Sequence, residues 1–323
     1  MTQKTIYLCP TCGQHYLTVH DSELRCQSGH TFPFFTKSKV PIFACDQAGR
    51  NEFNLGNAAE IHDNALKWLF DTFSVDEAAL RRSMLAKLNL TKGQTVLITS
   101  AGAGNDLPYL AELVGKEGVI YAQDFAAPML MSAVDRCHQL YGLQDHTIEF
   151  SISDATHLPF ADDTFDAAYH FGGLNLFSNM KKGFSEMDRV VKPGGKVVVG
   201  DEGIAPWLKE TDYAKWLINN NQLYRCEAPL HLIPELARDV HVSWVIGNCF
   251  YLVDYTVSRN PLEIDINIPH VGKRGGSIKT RYFGQLEGID PELKTRLYAE
   301  SEKRGVSRVN LIEQFIKRGL ADG

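Results

Sequence analysis

Between residues 95 and 200 the chain carries a series of short, strongly apolar runs. They are 96–99 (VLIT), 118–124 (GVIYAQD), a run ending at Ser153 and Asp154, 165–169 (FDAAY) and 190–199 (VVKPGGKVVV). Each is rich in β-branched residues, is bounded by turn residues and is separated from the next by a helix-length segment of mixed polarity. Such alternation predicts an α/β fold: parallel strands buried on both faces, with a helix after each. Further on, 241–246 (HVSWVI) and 249–257 (CFYLVDYTV) read as an antiparallel pair turned by Gly247 and Asn248. Between them and the parallel series, residues 205–234 place Trp207, Tyr213, Trp216, Leu217, Leu223 and Tyr224 at helical spacing, which predicts a lid or insertion.

In sheets of this kind ligands bind beyond the carboxyl ends of the strands, and Gly102, Asp124 and Asp154 all fall at such ends. The first run continues into Ser100, Ala101, Gly102, Ala103 and Gly104, a turn whose glycines let backbone approach a nucleotide-sized ligand. A dinucleotide-binding unit would need a third glycine where Leu107 stands. The ordered series resembles the class I S-adenosylmethionine (SAM) methyltransferases over roughly residues 57–257.

That resemblance implies a Rossmann-like seven-stranded sheet and SAM as cofactor. It assigns SAM contacts to Ser100, Ala101, Gly102, Gly104, Asp124, Phe125, Asp154, Ala155 and His170. Asp124 would accept from the ribose hydroxyls and Asp154 from the adenine amino group, charge-assisted bonds that suit carboxylates. The chain departs from the family pattern at Ile98, where a strand-end carboxylate is usual, and at Ser100, the usual first glycine. The ammonium of SAM is then left to backbone carbonyls of residues 99–102.

After the fourth strand, 169–178 (YHFGGLNLFS) lacks the Asn/Asp-Pro-Pro-aromatic turn of nucleic-acid amino-methylating enzymes. It resembles instead the quinone-biosynthesis and related small-molecule methyltransferases, with Gly172 and Gly173 closing over SAM. His170 and Asn175 are the candidate catalytic residues, and Asp201, Glu202 and His231 are further acid-base groups. Asp201 and Glu202 close the fifth strand, as pocket carboxylates or as helix caps.

Seven cysteines scattered through 323 residues argue against a disulfide framework. Cys9, Cys12, Cys26 and His30 form a C-x2-C-x13-C-x3-H pattern, tetrahedral Zn2+ spacing that would order a segment too short for its own core. A metal-free hairpin and a redox pair are the alternatives. The segment resembles both the zinc ribbon opening rRNA guanine-N1 methyltransferases and the small zinc-ribbon partner of some methyltransferases. Cys45, Cys137, Cys226 and Cys249 read as buried thiols.

Charge changes the picture along the chain. Residues 1–271 carry 22 basic and 32 acidic side chains, residues 272–323 carry 11 and 7. The acidic part lacks the basic footprint of an RNA enzyme. The domain organisation expected is a zinc ribbon over 1–48, the methyltransferase domain over 49–270 and a third unit over 277–323, after a linker at 268–276. In the tail, 279–285 (KTRYFGQ) alternates as a short strand, Pro291 opens one helix, and 305–307 (GVS) caps another. This order resembles the ribbon-helix-helix fold, which implies a homodimer and DNA contact through Lys279 and Arg281. A helix pair packed on its own enzyme is the alternative. With no membrane-length apolar stretch, a cytoplasmic enzyme acting on a small-molecule acceptor is expected. An rRNA base methyltransferase and a SAM-sensing regulator are the competing functions.

Overall fold

The computed structural model of the chain describes residues 4–35, 38–44, 52–284 and 289–322, and separates into two compact units, 1–260 and 261–323. The first opens with five strands, β1 (Lys4–Leu8), β2 (Tyr16–Val19), β3 (Glu23–Arg25), β4 (Thr31–Phe35) and β5 (Val40–Pro41), paired in sequential order. Next come α1 (Ala58–Phe73), α2 (Glu77–Ala86), β6 (Thr95–Thr99), α3 (Leu107–Val114), β7 (Val119–Asp124), α4 (Ala127–Gln139), β8 (Thr147–Ile152) and β9 (Phe165–Phe171). The unit ends with α5 (Met180–Val190), β10 (Val191–Glu202), α6 (Asp212–Asn220), β11 (Arg238–Val245) and β12 (Phe250–Thr256).

Seven of these strands form one sheet in the order β11-β12-β10-β9-β6-β7-β8. The five expected parallel runs are its parallel strands, and β12 joins β10 antiparallel. Leu97, Ala168, Val197 and Val199 face α5, while Val96, Ile98, Tyr169 and Val198 face α2, α3 and α4. Each large aliphatic side chain buried this way contributes about 1.5–3 kcal/mol over its exposed state. Both faces being covered is why the runs read as continuously apolar. Strand order reverses between β6 and β9, which opens a crevice beyond their carboxyl ends.

The N-terminal strands are not a free-standing appendage. Ile42 bridges Ile152 of β8 in parallel, Phe43 N donates to the Ile152 carbonyl at 2.8 Å and Leu8 N to that of Pro159 at 2.9 Å. The Tyr7 ring packs on Phe43 and Phe160. This segment covers the edge of β8, which would otherwise present unpaired backbone groups.

The insertion is helical, as expected, but its aromatic positions divide. Tyr224 is buried against Phe250, whereas Trp207 is 64% exposed and Trp216 71%.

In the second unit the expected strand over 279–285 is a helix instead, α7 (Ile278–Phe283); Gln285 lies outside the described residues. A capping box decides it: Thr280 N donates to Ser277 Oγ and Ser277 N donates back to Thr280 Oγ1. Arg281 is bound to the Gly275 carbonyl through Nε and Nη2. The ribbon expected to present Lys279 and Arg281 to DNA is therefore absent from the described residues. The two helices do form, α8 (Pro291–Arg304) capped by Asp290 and α9 (Arg308–Ala321) capped by Ser307, with Gly305 left-handed between them.

Candidate functional site

The turn after β6 is built for close approach. Ser100 takes φ 51°, the left-handed region where glycine is the usual residue, and Gly102 and Gly104 follow at 55° and 83°. A Cβ on Gly104 would come within 2.9 Å of Ala133 Cβ on α4. Gly104 therefore serves helix packing, not only the ligand side expected of it.

Asp124 closes β7 and is nearly buried. Its Oδ2 accepts from Gly102 N and its Oδ1 from Ala126 N, both at 2.7 Å. Burial raises its pKa, and the backbone donors oppose that rise. Each oxygen retains a lone pair, so two further donors can be accepted. Phe125, next in sequence, is partly exposed, and Ala155 is buried. Asp154 follows β8, where its Oδ1 takes Thr156 N and Oγ1, both at 2.8 Å. The structure thus brings Gly102 and Asp124 into direct contact, with Asp154 beyond the end of the adjoining strand. Ser153 N donates to the Asp124 carbonyl at 3.0 Å, which couples those two strand ends.

Supports around the turn escaped the sequence reading. Arg81 of α2, buried, donates to Asp106 at 2.7 Å and fixes the start of α3. Arg136 of α4 holds Asp63 of α1 at 2.6 Å, and both reach Asn105 in the turn. Phe53 and Ala59 pack on Ala103 and Met129. Nothing in the local pattern marks these partners, because they lie 25 to 73 residues apart in the chain.

His170 lies deeper than the strand-end residues. It is fully buried on the α5 face, its Nδ1 2.9 Å from Thr99 Oγ1 and its ring edge-on to Phe177. Burial alone drives its pKa down to about 3. The alternation of β9 turns this residue inward, and its Nε2 has no hydrogen-bond partner among the described residues. Asn175, in the turn Leu174–Leu176 after β9, is instead tied to β10: its N donates to Asp201 Oδ2 at 2.6 Å and its Nδ2 to the Glu202 carbonyl at 2.9 Å. His231 sits in the helical turn Leu230–Leu232 of the insertion.

A second centre lies in the N-terminal sheet. The donor atoms of Cys9, Cys12, Cys26 and His30 all fall within 4.8 Å of one another. Cys12 Sγ is 3.6 Å from Cys26 Sγ and Cys9 Sγ 3.5 Å from His30 Nδ1, near the roughly 3.8 Å edge of a tetrahedron with 2.3 Å metal–sulfur bonds. Gly13 and Gly29 adopt positive φ to close the two knuckles, and Ser28 N donates to Cys26 Sγ. The donor set and geometry fit Zn2+. Cys137 and Cys249 are buried thiols, Cys226 is half-buried, and Cys45 lies outside the described residues.

Residues 67–217 match the model of the ubiE/COQ5 methyltransferase family. The demethylmenaquinone methyltransferase of Beutenbergia cavernae is 37% identical over 128 residues, 39% of this chain and 48% of that protein. The 2-phytyl-1,4-naphtoquinone methyltransferase of Synechococcus elongatus is 30% identical over 181 residues, 54% of this chain and 75% of that protein. Of several other relatives the chain spans only about half to three fifths. Among solved structures, the Haemonchus contortus phosphoethanolamine N-methyltransferase 2 in complex with SAM superposes with a TM-score of 0.51 at 15% identity, over 66% of this chain and 60% of that one, a likeness of fold. From the strand-end series and these relatives together, the chain belongs to the ubiE/COQ5 methyltransferase family.

Proposed function

We propose that the protein transfers the methyl group of SAM to a ring carbon of a reduced, long-chain-substituted 1,4-naphthoquinone. The observation that carries the cofactor side is the Gly102–Asp124 contact at the ends of β6 and β7, with Asp154 beside it. When bound, SAM supplies an electrophilic methyl group. The chain's part is to pass backbone under the ligand at 100–104, to accept its ribose hydroxyls at Asp124 and to hold the acceptor in line, since positioning accounts for much of such a reaction. The acceptor class is supported by the relatives named for demethylmenaquinone and 2-phytyl-1,4-naphtoquinone and by chemistry: a quinone ring is electron-poor, and only its reduced quinol offers a nucleophilic carbon. Titration calorimetry with SAM and its demethylated product, followed by labelled-methyl transfer to dithionite-reduced 2-phytyl-1,4-naphthoquinone, tests both halves. Label entering total RNA in place of the quinol would favour the rRNA reading.

Zinc belongs to the same proposal as a structural ion held by Cys9, Cys12, Cys26 and His30. Its support is the convergence of four borderline-to-soft donors on a segment joined to β8. For the C-terminal unit the reading is homodimerisation. Leu293, Phe315 and Ile316 are exposed beside the half-buried Leu297 and Ile312, and only Leu311 is fully buried among them. A unit of three short helices of that length cannot bury all its apolar faces by itself.

A further inference from the structure

Methylation at carbon displaces a proton, and His170, the residue expected to take it, is fully buried beside Thr99. Two carboxyl groups stand elsewhere at the acceptor end of the sheet. Asp201 and Glu202 are the last residues of β10, next to the end of β9 where the crevice opens. Asp201 is fully buried, with Oδ2 bound to Asn175 N at 2.6 Å and Oδ1 to Glu202 N at 2.8 Å. Together with the bond from Asn175 Nδ2 to the Glu202 carbonyl, these contacts lock the turn after β9 to the tip of β10.

A second, independent feature marks the same place. Tyr251 lies opposite Asp201 in the β10–β12 register, and its side chain is fully buried. Its hydroxyl has no hydrogen-bond partner among the described residues. Buried hydroxyls are almost always satisfied, and this open one lies beside the Asp201 and Glu202 carboxyls, where a polar ligand group would complete it. The titratable groups facing the carboxyl pair are Tyr251 of β12, Cys226 and Tyr224 from the insertion, and Cys249 before β12. Burial, and after it the adjacent Glu202 carboxyl, holds the Asp201 pKa well above the usual carboxylate range. Asp201 is enclosed and held by its two backbone contacts, whereas Glu202 is only half-buried.

Resting on the carbon-methylation reading, we propose that Glu202 is the base that receives the displaced proton, that Asp201 is its positioning residue and that the Tyr251 hydroxyl binds a ring oxygen of the acceptor. In the step, the ring carbon's electron pair forms the new C–CH3 bond while the S–CH3 pair returns to sulfur. The C–H pair then restores the aromatic ring, and its proton passes to a Glu202 oxygen. No oxidant or reductant is consumed.

The experiment compares wild type, Glu202→Gln and Tyr251→Phe with reduced 2-phytyl-1,4-naphthoquinone, protonated or deuterated at the reacting carbon. Glu202→Gln should bind SAM as wild type does by calorimetry, yet lose roughly 100-fold or more in kcat, the ordinary scale of acid-base catalysis. A deuterium isotope effect should appear as C–H cleavage becomes limiting. Tyr251→Phe should raise KM for the quinol without weakening SAM. Full activity without an isotope effect in Glu202→Gln would refute the base assignment alone, and so would loss of SAM binding in that variant, since that marks a structural role. Absence of turnover by the wild type would overturn the carbon-methylation reading and this inference with it.

Discussion

Asp124→Asn isolates the cofactor contact, because the change keeps shape and removes charge. In the wild type both carboxylate oxygens accept a backbone N–H, from Gly102 and Ala126, at 2.7 Å each. An amide can satisfy only one of these donors and turns its own NH2 toward the other, so the fold loses one charge-assisted bond and orphans a backbone donor. The amide also relieves the burial of a charge, the cause of the raised Asp124 pKa, so the two effects offset and folding stability should change by no more than about 1–2 kcal/mol. The ribose hydroxyls lose an ionised acceptor as well, which weakens SAM by about 2–4 kcal/mol, roughly 30- to 700-fold in Kd. The pH dependence gives a second check. Because the folded pKa of Asp124 is raised by burial, its contribution to stability is present at low pH and is lost as pH rises through that folded pKa. Binding of SAM needs the ionised form, so affinity should move the opposite way and decline as pH falls through the same raised value. Calorimetry across pH, alongside denaturant unfolding, measures both trends. A Kd in Asp124→Asn within about threefold of wild type, under 1 kcal/mol, would refute the assignment of Asp124 to the ribose.

Arg81→Met should cost about 3–5 kcal/mol of unfolding free energy, because it strands the nearly buried Asp106 without its partner at 2.7 Å; the double variant Arg81→Met with Asp106→Leu should regain most of that, and a mild single-variant loss would count against a buried ion pair. For His170, whose pKa falls from 6.5 to about 3 on burial, the unfolded chain takes up a proton that the folded one refuses, so its contribution is complete above pH 6.5 and is lost as pH falls toward 3. Urea unfolding of His170→Phe should show a flatter decline over that window, and an identical slope would place the ring in solvent. Protein purified without added metal should contain near-stoichiometric zinc by mass spectrometry, and Cys12→Ser should lose it; a metal-free wild type indifferent to chelator would leave a plain hairpin. Light scattering should report a dimer for the full chain and a monomer once residues 277–323 are removed, whereas a monomeric full chain ends that reading.

The parallel strands and their order along the chain could be read before any coordinates, because a sheet covered on both faces demands apolar runs that no other element of that length requires. Strand ends were legible for the same reason. Gly102, Asp124 and Asp154 interrupt apolar runs where the backbone leaves the core, and the structure puts Asp124 at the end of β7 and Gly102 and Asp154 just beyond β6 and β8. The C-x2-C and C-x3-H spacings also sufficed, since each pair sits in one turn and the turn sets the geometry. The start of α8 at Pro291 and the Ser307 cap of α9 were readable too, as local signals.

What the chain order alone left open depends on side chains meeting across long separations. His170 and Asn175 belong to one motif in sequence, yet the pleat sends the histidine into the core and leaves the asparagine free to bind the tip of β10. Whether Asp201 is a surface cap or a buried carboxyl follows from its register opposite Tyr251, which no local pattern encodes. The segment at 279–285 alternates like a strand, but a strand must find a partner for its backbone, whereas Ser277 and Thr280 supply a helix start within four residues. Periodicity therefore determined which elements could form, and tertiary pairing decided which polar groups were buried, which were satisfied and which were left facing the crevice.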